Sequence, residues 1–111
     1  MAKKSLEVNV IVVLVTCPSL RVARGLSGAL IRDRLAACVN IIPHVESIFR
    51  WEGRVDRSRE TLLVIKTTTA RFQRLRKTII ARHPYDVPEI LGLPLRGGSP
   101  PYLRWVVASV S

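Results

Sequence analysis

The apolar, β-branched run of residues 8–16 constrains the fold of this chain more than any other segment. Almost every residue in it is Val, Ile or Leu, a pattern typical of a central strand that is buried on both faces. A membrane helix needs ~20 apolar residues, and this run is far shorter. No small-residue cleavage site follows it, which disfavours a signal peptide. The run therefore predicts the first core strand, with residues 1–7 frayed ahead of it.

The rest of the chain alternates between helical and strand periodicity. The expected elements are a helix begun by Pro18 and Ser19, a long strand over residues 37–51, a strand over 60–68, a helix over 70–82, a strand over 89–95 and a closing helix over 102–110. Pro43 predicts a bulge in the long strand, because proline cannot join a central ladder. Turn-forming residues at 52–53 and 56–58 are expected to connect this strand to the next as a long hairpin.

The order β-α-β-β-α-β with a terminal helix matches the split βαβ, or ferredoxin-like, plan of the α+β class. Right-handed crossovers place both helices on one face of a four-stranded antiparallel sheet and leave the other face bare. That face is too apolar to remain in water, since 48% of the 111 residues are hydrophobic. We therefore expect one domain spanning residues 1–111, with further subunits covering the bare face.

Five short motifs occur in order along the chain. They are LAACVNIIP at residues 35–43, WEG at 51–53, KTT at 66–68, HPYDVPEI at 83–90 and YLRW at 102–105. Together they resemble the CutA family of divalent-cation tolerance proteins over about residues 10–105. The resemblance implies a ferredoxin-like fold in a compact, thermostable homotrimer whose sheets face inward. It also implies a non-enzymatic role in the tolerance of divalent metals such as copper.

Soft or borderline metal ligands are few in this chain. Copper and zinc favour thiolate and imidazole, and the resemblance implies copper ligands at two cysteines and at the histidine of the His-Pro-Tyr motif. Cys38 and His83 match two of those positions, whereas the first-strand position aligns with Val15 and Cys17 follows two residues later. We expect weak Cu(II) or Zn(II) binding through His83, Cys38 and Cys17, and no organic cofactor.

Two of the metal candidates, Cys38 and His83, also have a structural interpretation. A free cysteine in an apolar strand is commonly a small core residue, which applies to Cys38. His83 follows a helix, where imidazole often binds the last carbonyl groups. His44 belongs to none of the motifs and is expected on the surface.

Residues that could support catalysis are present, but nothing in their spacing brings them together. Glu60, Asp86 and Glu89 are possible acids or bases, and Cys38 with His83 is a possible nucleophile and base. The glycine pair at 97–98 is followed by Ser-Pro-Pro and does not form a phosphate-binding loop. We therefore expect no enzymatic activity.

Two further functions remain open. The aromatic residues Trp51, Tyr85, Tyr102 and Trp105 predict either a pocket between subunits or aromatic packing at an interface. The first case indicates a trimeric small-molecule sensor, and the second indicates a scaffold without a ligand. An apolar, anion-lined pocket would favour the sensor, and a solvent-facing cluster of His, Cys and carboxylates would favour metal binding.

The charge of the chain predicts a non-specific partner. There are 18 basic and 8 acidic residues, which give a formal net charge of +10. No aromatic residues alternate with the arginines as in a nucleic-acid platform, so we expect loose, salt-sensitive binding to polyanions. The expected location is cytoplasmic, with no membrane partner.

Overall fold

A computed structural model describes residues 9–111 as an α+β fold. The elements are β1 (Val10–Cys17), α1 (Leu20–Arg32), β2 (Cys38–Trp51), β3 (Arg54–Thr68), a 3₁₀ turn (Thr69–Arg71), α2 (Phe72–Arg82), β4 (Ile90–Pro94) and α3 (Pro100–Ser109). The expected β-α-β-β-α-β order with a closing helix is confirmed. The expected fraying of residues 1–7 falls outside the described residues, and the single domain over 1–111 stays a prediction.

The four strands form one antiparallel sheet in the order β2-β3-β1-β4. Because β1 pairs with a strand on each side, its backbone hydrogen-bonding groups are satisfied within the sheet. The continuous apolar sequence from Val10 onward reflects its two faces, one packed in the core with helix residues and the other forming part of an apolar sheet surface. The ferredoxin-like strand order is therefore confirmed.

The two faces of the sheet are covered differently. Alternate β1 residues Val13, Val15 and Cys17 are fully buried in the core that includes α1 and α2 residues. On the opposite face α3 covers one end, where Leu103 and Val106 pack against Val10. The remainder of that face, here called the open sheet face, consists of paired apolar residues with partial exposure. They are Val12, Leu14, Leu62, Val64, Leu91 and Leu93.

The hairpin of β2 and β3 is longer than the sequence predicts. Pairing extends from Cys38 and Lys66 to Trp51 and Arg54, with the expected bulge between Ile42 and Val45. The turn is only residues 52–53, whose φ angles of 51° and 76° match a type I′ turn. Such a turn continues the strand twist, so pairing resumes at once. The expected turn at residues 56–58 is therefore wrong, since these residues belong to β3.

Candidate ligand-binding cleft

Residues 83–89 connect α2 to β4 and carry polar side chains to the end of β1 where Cys17 lies. His83 has extended φ and ψ angles of −81° and 136°, as its position before Pro84 requires. Its backbone N–H donates to the Ile79 carbonyl at 2.8 Å, which ends the helix. The backbone conformation and the helix-ending hydrogen bond of His83 therefore set the direction in which the connection leaves α2.

Both ring nitrogens of His83 have hydrogen-bond partners. Nε2 lies 2.7 Å from the Thr16 carbonyl oxygen, and Nδ1 accepts the backbone N–H of Tyr85 at 3.1 Å. A carbonyl can only accept, so Nε2 carries the proton and the imidazole is neutral. The residue as a whole is 8% exposed. His83 therefore ties the connection to β1, and a metal at either nitrogen would displace one of these bonds.

Tyr85 and Glu60 form the polar centre of this region. The Tyr85 hydroxyl donates to Glu60 Oε2 at 2.9 Å, and its ring lies 4.7 Å from the His83 ring. Burial, followed by the hydrogen bond to Glu60, raises the pKa of Tyr85 to about 12. The phenol therefore remains protonated and continues to donate at neutral pH.

Glu60 is a buried carboxylate that forms no ion pair with a basic side chain of residues 9–111. It is 9% exposed. Within residues 9–111 the one ion pair joins Arg32 to Asp33, so the hydrogen bond from Tyr85 is not accompanied by a cationic contact there. A buried charge without a partner of opposite sign is unfavourable, which makes Glu60 a candidate for binding a ligand.

Two adjoining hollows, here together called the Glu60 cleft, lie between the hairpin and the 83–89 connection. Their volumes are about 500 and 510 Å³, and they share Phe49, Glu60, Tyr85 and Val87. Other lining residues come from the hairpin and from the connection: Trp51, Asp56, Arg57, Ser58, Pro84 and Asp86 in the first hollow, and Thr16, Glu46, Ser47, Ile48 and Glu89 in the second. The cleft combines aromatic walls with carboxylates. Trp51 and Tyr85 are the aromatic residues from which the sequence indicated a pocket.

Comparison with known proteins identifies the family. The model of the CutA1 divalent ion tolerance protein family matches residues 11–109. The chain belongs to this family. It is 52% identical over 95 residues to the divalent-cation tolerance protein CutA of Thermus thermophilus, which covers 86% of this chain and 92% of that protein. The resemblance seen in the sequence motifs is therefore confirmed.

Solved CutA structures have the same fold as this chain. The crystal structure of CutA1 from Oryza sativa superposes with a TM-score of 0.91 at 43% identity, covering 96% of this chain and 97% of that one. The CutA of Archaeoglobus fulgidus, described as periplasmic, gives a TM-score of 0.89 at 33% identity, covering 92% and 99%. The plant chloroplastic relatives are longer, and this chain spans 58% of the Arabidopsis thaliana protein.

Cys17 lies close to the cleft in this CutA1-family chain but is fully buried. Burial and then the charge of Glu60 raise the pKa of the Cys17 thiol to about 11. Metal ligation requires the thiolate. At neutral pH the side chain is therefore a protonated thiol in the core. A metal could bind it only at the cost of reaching a buried sulfur atom and of removing the thiol proton.

Cys38 lies at the other end of the sheet from His83. It pairs with Lys66 on β3, whereas Cys17 pairs with Thr61, a separation of five residues or ~16 Å along the strand. Its Sγ accepts a hydrogen bond from Lys66 Nζ at 3.7 Å. Burial raises the pKa of the Tyr102 hydroxyl, and so do the charge of Cys38 and a hydrogen bond with it. A protomer therefore brings Cys17 and His83 to one end and leaves Cys38 apart.

The three predicted ligands do not form a metal site within one protomer. Among residues 9–111, no three side chains of the His, Cys, Asp and Glu types lie close enough together to hold an ion. His44 is exposed at the bulge, as expected. The role of His83, Cys38 and Cys17 in metal binding stays a prediction that needs a second subunit or a local rearrangement.

Among residues 9–111, no helix has the length and apolarity required to cross a membrane.

Sequence reasoning missed the cleft residues on both strands of the hairpin, among them Glu46, Phe49, Asp56 and Ser58. The signal that could have found them is the alternation of residues 45–51, which places Phe49 and Trp51 on one face of β2. Asp56 pairs with Phe49 in the hairpin. The sequence did not indicate this position, because the turn propensity of Asp56 led to its assignment outside the strand.

Proposed function

We propose that this chain acts in the tolerance of divalent cations as a homotrimer without a catalytic step. Membership of the CutA1 divalent ion tolerance protein family carries this proposal. The open sheet face supports the assembly, because its apolar residues Leu91 and Leu93 are 52% and 42% exposed in the single subunit. Burying such a face removes apolar surface from water at about 25 cal/mol per Å².

Metal binding in this proposal is weak and depends on His83. Cu(II) or Zn(II) at the imidazole would replace the contact with either Thr16 or Tyr85, so part of the binding energy is spent on breaking it. Further ligands, including Cys38, would come from another subunit. We propose a cytoplasmic location and non-specific contact with polyanions.

Calorimetric titration with Cu(II) and Zn(II), together with light scattering, tests this function. We expect a trimer at micromolar concentration and metal binding that His83→Ala removes. His44→Ala is the matched control, because His44 is exposed and lines neither hollow of the Glu60 cleft, although it borders a third hollow with Glu60. A monomer would refute the assembly, and loss of binding only in His44→Ala would show an adventitious metal site.

A second candidate function is the binding of a small molecule in the Glu60 cleft. The observation that favours it is an aromatic, carboxylate-lined cleft in a chain whose described residues contain no compact cluster of metal ligands. Pockets of this volume suit small ligands. The test is calorimetric binding of a metabolite panel that contains cations, anions and neutral molecules, with Glu60→Gln as the variant that should alter any binding found.

A further inference from the structure

We propose that the Glu60 cleft binds a small organic cation, an ammonium group carried on a short carbon skeleton. This inference rests on the second candidate function and names its ligand class. Three features of the cleft carry it: the distribution of charge, the buried carboxylate of Glu60, which forms no ion pair within residues 9–111, and the aromatic walls. Each of them favours a cation that is larger than a bare metal ion.

The charge of the cleft is opposite to that of the chain. Five of the eight acidic residues line it, and one of the eighteen basic residues, Arg57, does so. The acidic residues are Glu46, Asp56, Glu60, Asp86 and Glu89. Arg59 pairs with Glu46 across the hairpin but is absent from the lining. In a molecule of net charge +10, this acidic lining favours the approach of a cation to the cleft.

Glu60 gives that attraction a defined centre. It is 9% exposed and accepts one hydrogen bond, from the neutral Tyr85 hydroxyl, at Oε2. The ion pair of residues 9–111 lies elsewhere, so although Arg57 lines the same hollow and Arg59 a neighbouring one, neither forms an ion pair with the carboxylate that an arriving ammonium group would meet. A primary ammonium group would donate a charge-assisted hydrogen bond there, which is stronger than one formed in water, whereas a quaternary ammonium group would be held by charge attraction alone.

The aromatic walls select an organic cation over a metal ion. Phe49 and Trp51 are 40% and 50% exposed and border the same hollow as Glu60 and Tyr85. Aromatic faces attract ammonium groups and also pack against their carbon atoms. The carboxylates are too dispersed for one ion, since no group of three metal-ligating side chains exists among residues 9–111. An extended cation can contact Glu60 and an aromatic wall together.

The experiment is calorimetric titration of the full-length protein at constant ionic strength. The probes are choline, putrescine, the uncharged choline isostere 3,3-dimethylbutan-1-ol, and succinate. We expect choline or putrescine to bind with a Kd between about 0.1 and 10 mM, as befits a ligand of few atoms. The uncharged isostere should bind at least about tenfold more weakly than choline, because only the charge differs.

Variants localise the binding to the cleft. Glu60→Gln keeps the shape and the acceptor for Tyr85 but removes the charge, and it should weaken binding about tenfold or more. Glu52→Gln is the matched control, because Glu52 lies in the exposed hairpin turn and does not line the cleft. Asp86→Asn, at an exposed position, provides a second test if Glu60→Gln does not fold.

The outcomes separate this inference from the function beneath it. Binding of succinate or of the uncharged isostere in preference to both cations would overturn the ligand class and leave small-molecule binding standing. Absence of binding by all four probes would overturn the organic-cation inference, and an empty metabolite panel would remove the second candidate function as well. If Glu60→Gln and Trp51→Ala alter trimer assembly but not cation binding, the cleft is a contact between subunits and the inference is wrong.

Discussion

Removal of the Tyr85 hydroxyl is expected to destabilise the protein by depriving a buried carboxylate of its hydrogen bond. Tyr85→Phe deletes only the oxygen that lies 2.9 Å from Glu60 Oε2 and keeps the ring beside His83. Hydrogen bonds to charged groups contribute about 1.5–3 kcal/mol. Because Glu60 is 9% exposed, little water replaces the lost donor, and we expect a loss of about 2 kcal/mol in the free energy of unfolding.

A double-mutant cycle assigns this loss to the carboxylate. In Glu60→Gln the amide oxygen still accepts from Tyr85, but the bond is neutral and contributes about 0.5–1.5 kcal/mol. Tyr85→Phe should therefore cost about 1 kcal/mol less in that background than in the unmodified protein. Urea unfolding at one fixed protomer concentration measures all four proteins, since oligomer stability depends on concentration.

Tyr102→Phe is the control for the loss of a tyrosine hydroxyl. Its phenol lies near Cys38, at the other end of the sheet, so its effect should be the same with Glu60 or Gln at position 60. An equal cost of Tyr85→Phe in both backgrounds would refute the claim that the hydroxyl stabilises a charge. A cost below about 0.5 kcal/mol in the unmodified protein would show that water reaches the carboxylate readily.

Three further predictions concern alkali, the hairpin turn and polyanions. Folding raises the pKa of Cys17 from 9.0 to about 11 and that of Tyr85 from 10.0 to about 12. The contribution of these two groups to stability is therefore complete below pH 9 and is lost as the pH rises through the folded values. The urea concentration at the unfolding midpoint should fall from pH 8 to 12, and it should fall less steeply in Cys17→Ala. Gly53→Ala should destabilise the protein by about 1 kcal/mol because the φ angle of Gly53 is 76°. Gly25→Ala should stabilise it by about 0.5–1 kcal/mol, because Gly25 lies in a helix and an added Cβ would meet no neighbouring atom within 4 Å. Thermal unfolding compares the two variants. Binding to DNA should weaken steeply with salt and show no sequence preference by fluorescence anisotropy, and a hundredfold preference at physiological salt would contradict it.

The elements of the fold were predictable because each has a local cause in the sequence. The β1 run is apolar on both faces because one face packs in the core with α1 and α2 residues and the other belongs to the open sheet face. Ser19 begins α1 by accepting the Val22 N–H at 3.2 Å, which is a cap that the sequence indicates. Residues 56–58 misled the prediction since their turn propensity is local, while their pairing is set by the type I′ turn.

The cleft was less predictable because it depends on register. His83 and Tyr85 are two residues apart, so the prolines around them suffice to place them together. Glu60 reaches Tyr85 from a strand that lies 25 residues earlier. The bulge after Ile42 shifts the pairing by one residue, which decides that Phe49 shares a face with Glu60. A sequence pattern indicates that a bulge exists but not how the partner strand responds.

The geometry of His83 changes what a mutation of this residue can reveal. Its two ring nitrogens join Thr16 on β1 to the backbone of Tyr85, and Tyr85 in turn donates to Glu60. Loss of the imidazole therefore removes a possible metal ligand and also the support of the Tyr85–Glu60 pair. A weakened response to metals in His83→Ala is compatible with both candidate functions for this reason. Glu60→Gln separates them, because it changes the charge of the cleft and leaves both His83 contacts in place.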